Sequence, residues 1–211
     1  MNSKDGLKRI LREFAIESAS ESGLKLQTYL SLLEKWNSRI NLTASVTWEA
    51  LEPMFREGIW AATKYPKDSR AHLDIGSGAG FPAVILRIFD PKMRLELVES
   101  RTKKCAFLET VAWELDLTGT KAHSRRLEDF LASCAAEKIW DCISWKAIKL
   151  AGCDLLDLRR HMNENSRFWM FHGSEFATEE VQTLNSEFIR GEQRLIPKQK
   201  ESFLSEYFPR N

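Results

Sequence analysis

A glycine-rich turn directly after a short apolar stretch is the part of this sequence with the clearest chemical potential. Ala71–Ile75 is predicted to be a buried strand, and it is followed by Gly76, Gly78 and Gly80 and by Pro82, a residue that suits the start of a helix. Glycine permits a positive φ and lets a ligand approach the backbone closely, because no Cβ intervenes. At the carboxyl end of a strand in an α/β sheet, such a turn is typical of a site for a nucleotide-like ligand.

The spacing of the glycines separates this turn from two common phosphate-binding loops. It is Gly-x-Gly-x-Gly rather than the Gly-x-Gly-x-x-Gly of dinucleotide-binding proteins, and no Gly-Lys-Ser/Thr follows it as in a P-loop. Asp74 precedes the first glycine by two residues, a layout common in the S-adenosylmethionine (SAM) loop of class I methyltransferases. The alternative interpretation is a tight strand–helix turn that needs small residues only for packing.

Two further segments are placed to complete such a site. Glu99 ends the predicted strand Arg94–Glu99, about 20 residues after the glycine turn, where a carboxylate accepts hydrogen bonds from ribose hydroxyls. After the predicted strand Thr120–Ser124, the backbone of Leu127 and Glu128 is placed to read the edge of an adenine ring. Both segments also fit ordinary helix starts, at which acidic side chains favour the helix dipole.

The sequence contains no recognisable set of catalytic groups. Its histidines have no metal-ligand spacing, no serine lies in a nucleophile elbow, and its four cysteines form no Cys-x-x-Cys pair. We therefore predict no bound metal, no catalytic side chain, and cysteines that are reduced and mostly buried. Methyl transfer fits this inventory, because a sulfonium donor is already activated and the enzyme mainly aligns the in-line attack.

Alternating strand and helix patterns from residue 71 onward predict the scaffold, a parallel sheet with helices on both faces. The predicted strands are Ala71–Ile75, Arg94–Glu99, Thr120–Ser124, Trp140–Trp145, Arg167–Phe171, Phe188–Ile196 and Ser202–Phe208. The predicted helices are Phe81–Phe89, Thr102–Leu115, Glu128–Ala136, Asp154–Met162 and Thr178–Ser186. No helix separates the last two strands, which are predicted to form an antiparallel hairpin at one edge.

Residues 1–70 are predicted to form a helical cap on the sheet domain of residues 71–211, the two making one compact unit. Apolar residues recur at helical spacing between residues 26 and 40, and that helix is predicted to end between Asn37 and Asn41. Thr47 suits the cap of a following helix, which Pro53 either kinks or starts afresh. No linker rich in glycine, proline or serine precedes the first strand.

The composition bounds the class of protein. The 211 residues are 43% hydrophobic and carry a net charge of +1, with no long apolar run and no signal peptide, so we expect a soluble cytoplasmic protein. Any contact with nucleic acid would have to come from local patches, among which Arg125, Arg126 and Lys146 are favoured because they neighbour the predicted cofactor site. Trp60 and Trp145 are candidates to stack on an exposed base. The other candidate cations are Lys8, Arg9, Arg12, Arg101, Lys103, Lys104, Arg159, Arg160, Lys198 and Lys200.

Together these segments resemble the RsmG/GidB family of bacterial 16S rRNA guanine-N7 methyltransferases. The resemblance rests on Trp36–Thr43, on the glycine turn within Leu73–Pro82, on Lys103–Leu108 with Glu99 before it, and on Arg126–Asp129. They occur in that order between roughly residues 24 and 173, most of the chain. The Trp-Asn-x-x-x-Asn-Leu-Thr segment is the specific part, since the glycine turn alone fits many methyltransferases.

The resemblance implies a class I, Rossmann-like α/β domain with a helical cap, SAM as methyl donor, and ribosomal RNA or the small ribosomal subunit as substrate. It implies that no general base is required, because guanine N7 carries a free lone pair. Separately, we expect a monomer with no membrane or metal partner. Gly76 and Phe81 are then expected at the methionine end of the donor, Glu99 at the ribose, and Leu127 and Glu128 at the adenine. The predicted cofactor-binding residues are Asp74, Gly76, Gly78, Gly80, Phe81, Glu99, Leu127, Glu128 and Lys146, and the predicted RNA-binding residues are Arg125, Arg126 and Lys146.

Three positions depart from the family pattern on the side of the acceptor base. Glu57 replaces the histidine of Arg-His-Ile-x-Asp-Ser, and His172 replaces the lysine of Leu-Lys-Gly. For the family's Ser-Arg-Ala, Trp145 takes the arginine position in an ungapped alignment, and Lys146 takes it if one residue is inserted. These departures leave two alternatives: a methyltransferase of the same fold acting on another substrate, and a module that binds SAM or RNA without catalysis.

Overall fold

Three helices precede a region in which strands and helices alternate. The computed structural model describes residues 2–174 and 178–210. The leading helices are α1 (Ser3–Glu13), α2 (Glu21–Asn37) and α3 (Trp48–Lys64). The strands are β1 (Ala71–Ile75), β2 (Arg94–Val98), β3 (Thr120–His123), β4 (Cys142–Lys146), β5 (Arg167–His172), β6 (Phe188–Leu195) and β7 (Phe203–Pro209). The remaining helices are α4 (Ala83–Phe89), α5 (Thr102–Glu114), α6 (Leu127–Ala132), α7 (Gly152–Arg159) and α8 (Thr178–Glu187).

The strands form one sheet in the order β3-β2-β1-β4-β5-β7-β6. The first five strands are parallel, and β7 runs antiparallel to both β5 and β6, which confirms the predicted terminal hairpin. The chain runs outward from β1 in one direction and from β4 in the other, so their carboxyl ends flank a crevice. Ligands of open α/β sheets bind in such a crevice.

Several predicted element boundaries differ from the observed ones by one to four residues, and two of the differences have identifiable local reasons. The helix predicted from Asp154 begins at Gly152, because the Asp154 carboxylate accepts the Ala151 N–H at 2.9 Å and so caps the first turn. The strand predicted to end at Trp145 continues through Lys146, which pairs with β5. The extra residue matters, because side chains alternate along a strand and Lys146 therefore shares a face with Ser144, not with Trp145.

The three leading helices pack into the same hydrophobic cluster as α4, α5 and one face of the sheet. Tyr29 of α2 lies at its centre, with its ring centroid 5.8 Å from that of Phe55 and 5.2 Å from that of Phe81. Helix α3 begins after Thr47, as predicted, and it runs on through Pro53, so no new helix begins there. A second cluster, which includes Trp145, fills the opposite face of the sheet.

A chain of hydrogen bonds between buried side chains crosses the first cluster and ends just before the glycine loop. Tyr65 Oη lies 2.9 Å from His72 Nδ1, and His72 Nε2 lies 2.8 Å from Ser144 Oγ. Ser144 in turn donates to Asp74 Oδ1 at 2.6 Å. Because Ser144 uses its proton on Asp74, the bonds are all satisfied when His72 is neutral with its proton on Nε2 and Tyr65 donates to Nδ1.

Burial is the main cause of the pKa shifts in this chain of hydrogen-bonded side chains. It raises the pKa of Asp74 to about 7, against the opposing effect of the Ser144 hydrogen bond. It also lowers the pKa of His72 to about 3, which agrees with the neutral imidazole that the hydrogen bonds require. The Asp74 carbonyl accepts the Ser77 hydroxyl at 2.9 Å, so the residue that ends the chain also anchors the start of the glycine loop.

Replacing Asp74 with asparagine tests the raised pKa. The unfolded chain releases this proton near the ordinary value of 3.8, whereas the folded protein keeps it to about pH 7. Between these values the folded state binds more protons, so this carboxyl lowers wild-type stability by up to about 1.4 kcal/mol per pH unit as pH rises. D74N lacks that effect. The free energy of unfolding of D74N minus that of the wild type should therefore increase from pH 4 to 7 and stay constant above pH 7.

Urea unfolding of both proteins over this pH range measures the difference. The His72 contribution, which has the opposite sign because its pKa is lowered, is present in both proteins and cancels. A difference between D74N and wild type that does not change with pH contradicts the assignment.

Candidate active site

The glycine loop connects β1 to α4 with a backbone that only glycine adopts readily. Gly76, Gly78 and Gly80 have φ values of 66°, 56° and 92°, all in the left-handed region. A Cβ at Gly80 would lie 2.6 Å from Val84 Cγ2, so packing against protein also excludes a side chain there. At Gly78 the nearest atom to such a Cβ is the Gly76 carbonyl oxygen at 3.7 Å, so Gly78 faces open space. Gly78 is therefore the position where a ligand can approach the backbone.

Two side chains hold this loop from opposite sides. Glu99 Oε2 accepts the Gly78 N–H at 2.9 Å, while its Oε1 accepts the Arg101 N–H at 2.8 Å. From α2, Tyr29 Oη donates to the Ala79 carbonyl at 2.5 Å. The carboxylate predicted from the sequence to bind a ribose thus lies directly beside the loop.

A cavity of about 210 Å³ opens next to the loop, at the carboxyl ends of β1 and β4. We call it the donor cavity. Its wall combines glycine-loop residues with Met54 of α3, with residues 42–44 between α2 and α3, with Lys104 of α5, and with residues at the end of β4. The lining residues are Leu42, Thr43, Ala44, Met54, Gly76, Ser77, Gly78, Ala79, Phe81, Lys104, Lys146 and Ala147.

One wall of the donor cavity comes from the end of the Trp36–Thr43 segment, the specific part of the family resemblance. Asn37 lies at the end of α2, and its side-chain Oδ1 accepts hydrogen bonds from the N–H groups of Leu42 and Thr43, both at 3.0 Å. Lys104 of α5 donates to the Leu42 carbonyl at 3.2 Å. Asparagine and lysine thus fix residues 42–44 over the cavity, which explains why this polar motif accompanies the glycine loop.

The residues predicted to hold an adenine lie after β3. Leu127 begins α6 and is buried, whereas Glu128, Arg125 and Arg126 are exposed, the closest Arg126–Glu128 approach being 4.0 Å. Within the described residues, neither these four nor Glu99 belongs to the wall of the donor cavity. Their assignment to the ribose, the adenine and RNA stays a prediction.

Lys146, which lines the donor cavity, forms an ion pair with Glu57, which does not line it. Lys146 Nζ lies 2.5 Å from Glu57 Oε1, and the Glu57 side chain is only 2% exposed. Beyond the pair is a second cavity of about 150 Å³, which we call the acceptor cavity. Lys146 and Ala147 line both cavities, and Ala147 has a φ of 55°, a strained value for a residue with a side chain. The acceptor cavity is lined by Glu57, Lys146, Ala147, Phe171, His172, Gly173, Ile196, Gln199 and Ser202.

The structure decides between the two alignments of the family's Ser-Arg-Ala. Trp145 points to the opposite face of the sheet, where it is 1% exposed and donates through Nε1 to Glu180 Oε1 at 3.0 Å. Lys146 therefore takes the place at the site. The prediction that Trp145 or Trp60 stacks on an exposed base is wrong, because Trp60 is also buried in the core.

His172 lies at the edge of the acceptor cavity with both ring nitrogens engaged. Nδ1 lies 2.6 Å from the Gly173 carbonyl oxygen, to which it donates, and Nε2 lies 2.9 Å from Ser205 Oγ. Burial lowers the pKa of His172. The histidine is therefore a poor substitute for the positive charge of the lysine that the family has at this position.

Sequence reasoning missed two contributions to the site. Tyr29 is predicted only as part of an apolar stripe, although a buried tyrosine hydroxyl usually has a hydrogen-bond partner, and that was the available signal. Met54 carries no signal, because nothing in the spacing of α3 indicates which of its residues meets a loop far along the chain.

Larger depressions, of about 440 and 430 Å³, lie beside Trp113 and beside Arg70, away from the carboxyl ends of β1 and β4. Residues 2–174 and 178–210 contain no group of histidine, cysteine and carboxylate side chains arranged for a metal ion. In the same part of the chain no helix is both long and apolar enough to cross a membrane.

The sequence matches the family model described as rRNA small subunit methyltransferase G over residues 23–202. A Helicobacter pylori ribosomal RNA small subunit methyltransferase G is 28% identical over 177 residues, which cover 84% of this chain and 97% of the relative. A protein of the same name from Paracoccus denitrificans is 30% identical over 163 residues, covering 77% and 82%.

Solved structures with a similar fold are methyltransferases and related proteins with low sequence identity. An O-methyltransferase from Bacillus cereus in complex with SAH has a TM-score of 0.63 and 14% identity, covering 86% of this chain and 90% of its own. A mutant of MtNAS in complex with S-adenosylmethionine has a TM-score of 0.59 and 15% identity, covering 96% and 82%. The fold is that of the class I SAM-dependent methyltransferases, and the chain belongs to the rRNA small subunit methyltransferase G family.

Proposed function

We propose that this protein transfers the methyl group of SAM to N7 of a guanosine in 16S ribosomal RNA. It acts as a cytoplasmic monomer on the RNA or the small subunit, with residues 1–70 as a helical cap that completes the site of residues 71–211. The observation that carries the proposal is the open face of Gly78, held by Glu99 at the mouth of the donor cavity. Family membership supports the acceptor.

The residues around the donor cavity fit a SAM molecule by their chemistry. Glu99 is a carboxylate beside the glycine loop, suited to accept hydrogen bonds from the ribose hydroxyls. Gly76 and Phe81 line the cavity where the methionine moiety would lie, and Leu127 and Glu128 follow β3, where the adenine would lie. When bound, SAM supplies a methyl group that its sulfonium has already activated.

The residues of this protein contribute to methyl transfer by positioning the acceptor base against the methyl donor. Guanine N7 has a lone pair that base pairing does not use, so no side chain has to remove a proton from it. Among the residues lining the two cavities, Lys146 and Glu57 are engaged with each other, and His172 bonds to Ser205 and Gly173. Alignment of the base with the donor is therefore the contribution we assign to the protein.

Replacing Gly78 with leucine tests the donor site. Its Cβ and side chain would project into the space that a ligand needs, so we expect no SAM binding by calorimetry at sub-millimolar concentration. Gly119 provides a matched control, because it also has a positive φ, of 82°, with room for a Cβ. It lies directly before β3, at the amino ends of the parallel strands and away from the donor cavity. G119L carries the same backbone strain of about 1–2 kcal/mol and should bind SAM normally. Wild-type affinity in folded G78L contradicts the assignment.

Mapping 7-methylguanosine in 16S rRNA tests the acceptor. We expect one guanosine to be methylated in cells that contain the protein and unmethylated in cells that lack it. Purified protein and SAM should restore the mark on small subunits or RNA from the deficient cells. An unchanged map with normal SAM binding favours a methyltransferase of another substrate, and SAM or RNA binding without methyl transfer favours a binding module.

A further inference from the structure

The Lys146–Glu57 ion pair lies where the acceptor base has to meet the donor. Lys146 lines both cavities, whereas Glu57 lines only the acceptor cavity. Moving away from the donor cavity, a ligand therefore meets first a hydrogen-bond donor, the ammonium, and then an acceptor, the carboxylate. Their atoms lie 2.5 Å apart, which presents the donor and the acceptor side by side.

The same order of complementary groups runs along the edge of guanine. Starting from N7, the edge presents the O6 acceptor and then the N1–H donor. Adenine presents an amino donor and then an N1 acceptor, which is the reverse. A base whose N7 faces the donor cavity would therefore bring O6 towards Lys146 and N1–H towards Glu57 only if that base is guanine.

We propose that Lys146 and Glu57 together select guanine, with Nζ donating to O6 and the Glu57 carboxylate accepting from N1–H. The inference rests on the proposed function and assigns the base recognition of that same site. The two residues are specificity residues, since neither has to exchange a proton with the base.

The surroundings of the pair suit this role. Glu57 is held on α3, and Gln199 from the segment between β6 and β7 donates to the Pro53 carbonyl of the same helix at 3.2 Å. This contact connects two walls of the acceptor cavity, which both Glu57 and Gln199 line. Lys146 retains 29% exposure of its side chain and lines both cavities, so a ligand can reach this side chain. A carboxylate that is nearly buried and already paired discriminates strongly, because a mismatched base leaves it facing another acceptor.

The E57Q variant tests the proposal with a near-isosteric change. A glutamine amide can accept from guanine N1–H but can also donate to adenine N1, so the preference should weaken. The measurement is kcat/KM of the wild type and of E57Q on two substrates. One is small subunits from cells lacking the protein, and the other is reconstituted subunits whose mapped guanosine is replaced by adenosine. E57Q should lower kcat/KM for the guanosine substrate by about 10- to 100-fold and reduce the guanosine-to-adenosine ratio at least about tenfold. SAM affinity measured by calorimetry should stay near the wild-type value.

E96Q is the matched control for breaking a lysine–glutamate pair. Glu96 Oε1 lies 2.5 Å from Lys138 Nζ, the same distance, but on β2 and outside both cavities. The ratio for guanosine and adenosine should be unchanged in E96Q. A purely structural role of Glu57 predicts that E57Q and E96Q behave alike.

Lysine variants give a second route if E57Q loses SAM binding or folds poorly. K146M removes the donor to O6, and K146R restores a donor, so K146R should recover guanosine preference that K146M lacks. Wild-type methylation of guanosine with an unaltered ratio in E57Q, or in K146M, overturns this inference alone. Absence of guanosine methylation by the wild type overturns the proposed function and the inference with it.

Discussion

The hydrogen bond between the Gly78 N–H and the Glu99 carboxylate is the contact on which the proposed donor site depends. It joins the loop after β1 to the end of β2, so two neighbouring strands deliver their functional residues to one place. Tyr29 holds the other side of the loop through the Ala79 carbonyl. A loop made of left-handed glycines has many alternative conformations, and these two contacts select the one that leaves the Gly78 face open.

Local patterns in the sequence were sufficient for the scaffold. The apolar run of β1 matches Ala71–Ile75 as predicted, and the glycine turn and the terminal hairpin were also predicted correctly. Turn glycines and strand periodicity act over a few residues, so a single sequence displays them. The contacts that complete the site join distant residues: Tyr29 and Ala79 are 50 positions apart, and Glu57 and Lys146 are 89 positions apart. No local pattern records such pairs.

The departures from the family pattern acquire a different meaning in three dimensions. Read along the sequence, Glu57 and Lys146 are two separate irregularities. In the fold they are partners in one ion pair, so a carboxylate in place of a histidine is accompanied by a lysine that neutralises it. Burying the Glu57 carboxylate without the lysine would cost several kcal/mol, which couples the two positions. The proposed acceptor side thus holds a defined pair of charged groups, although their residue types differ from those of the family pattern.

The shared hydrophobic core of α1–α3 and the sheet affects how inactive variants are to be interpreted. Because Leu42, Thr43 and Met54 line the donor cavity and α2 supplies Tyr29, damage to the packing of the helices reaches the glycine loop even when no residue of the loop is changed. Alleles that abolish methylation will therefore be scattered over the amino-terminal third of the chain as well as the loop. Position in the sequence is then a poor guide to cause, and genetic maps of this protein require a folding measurement beside each activity.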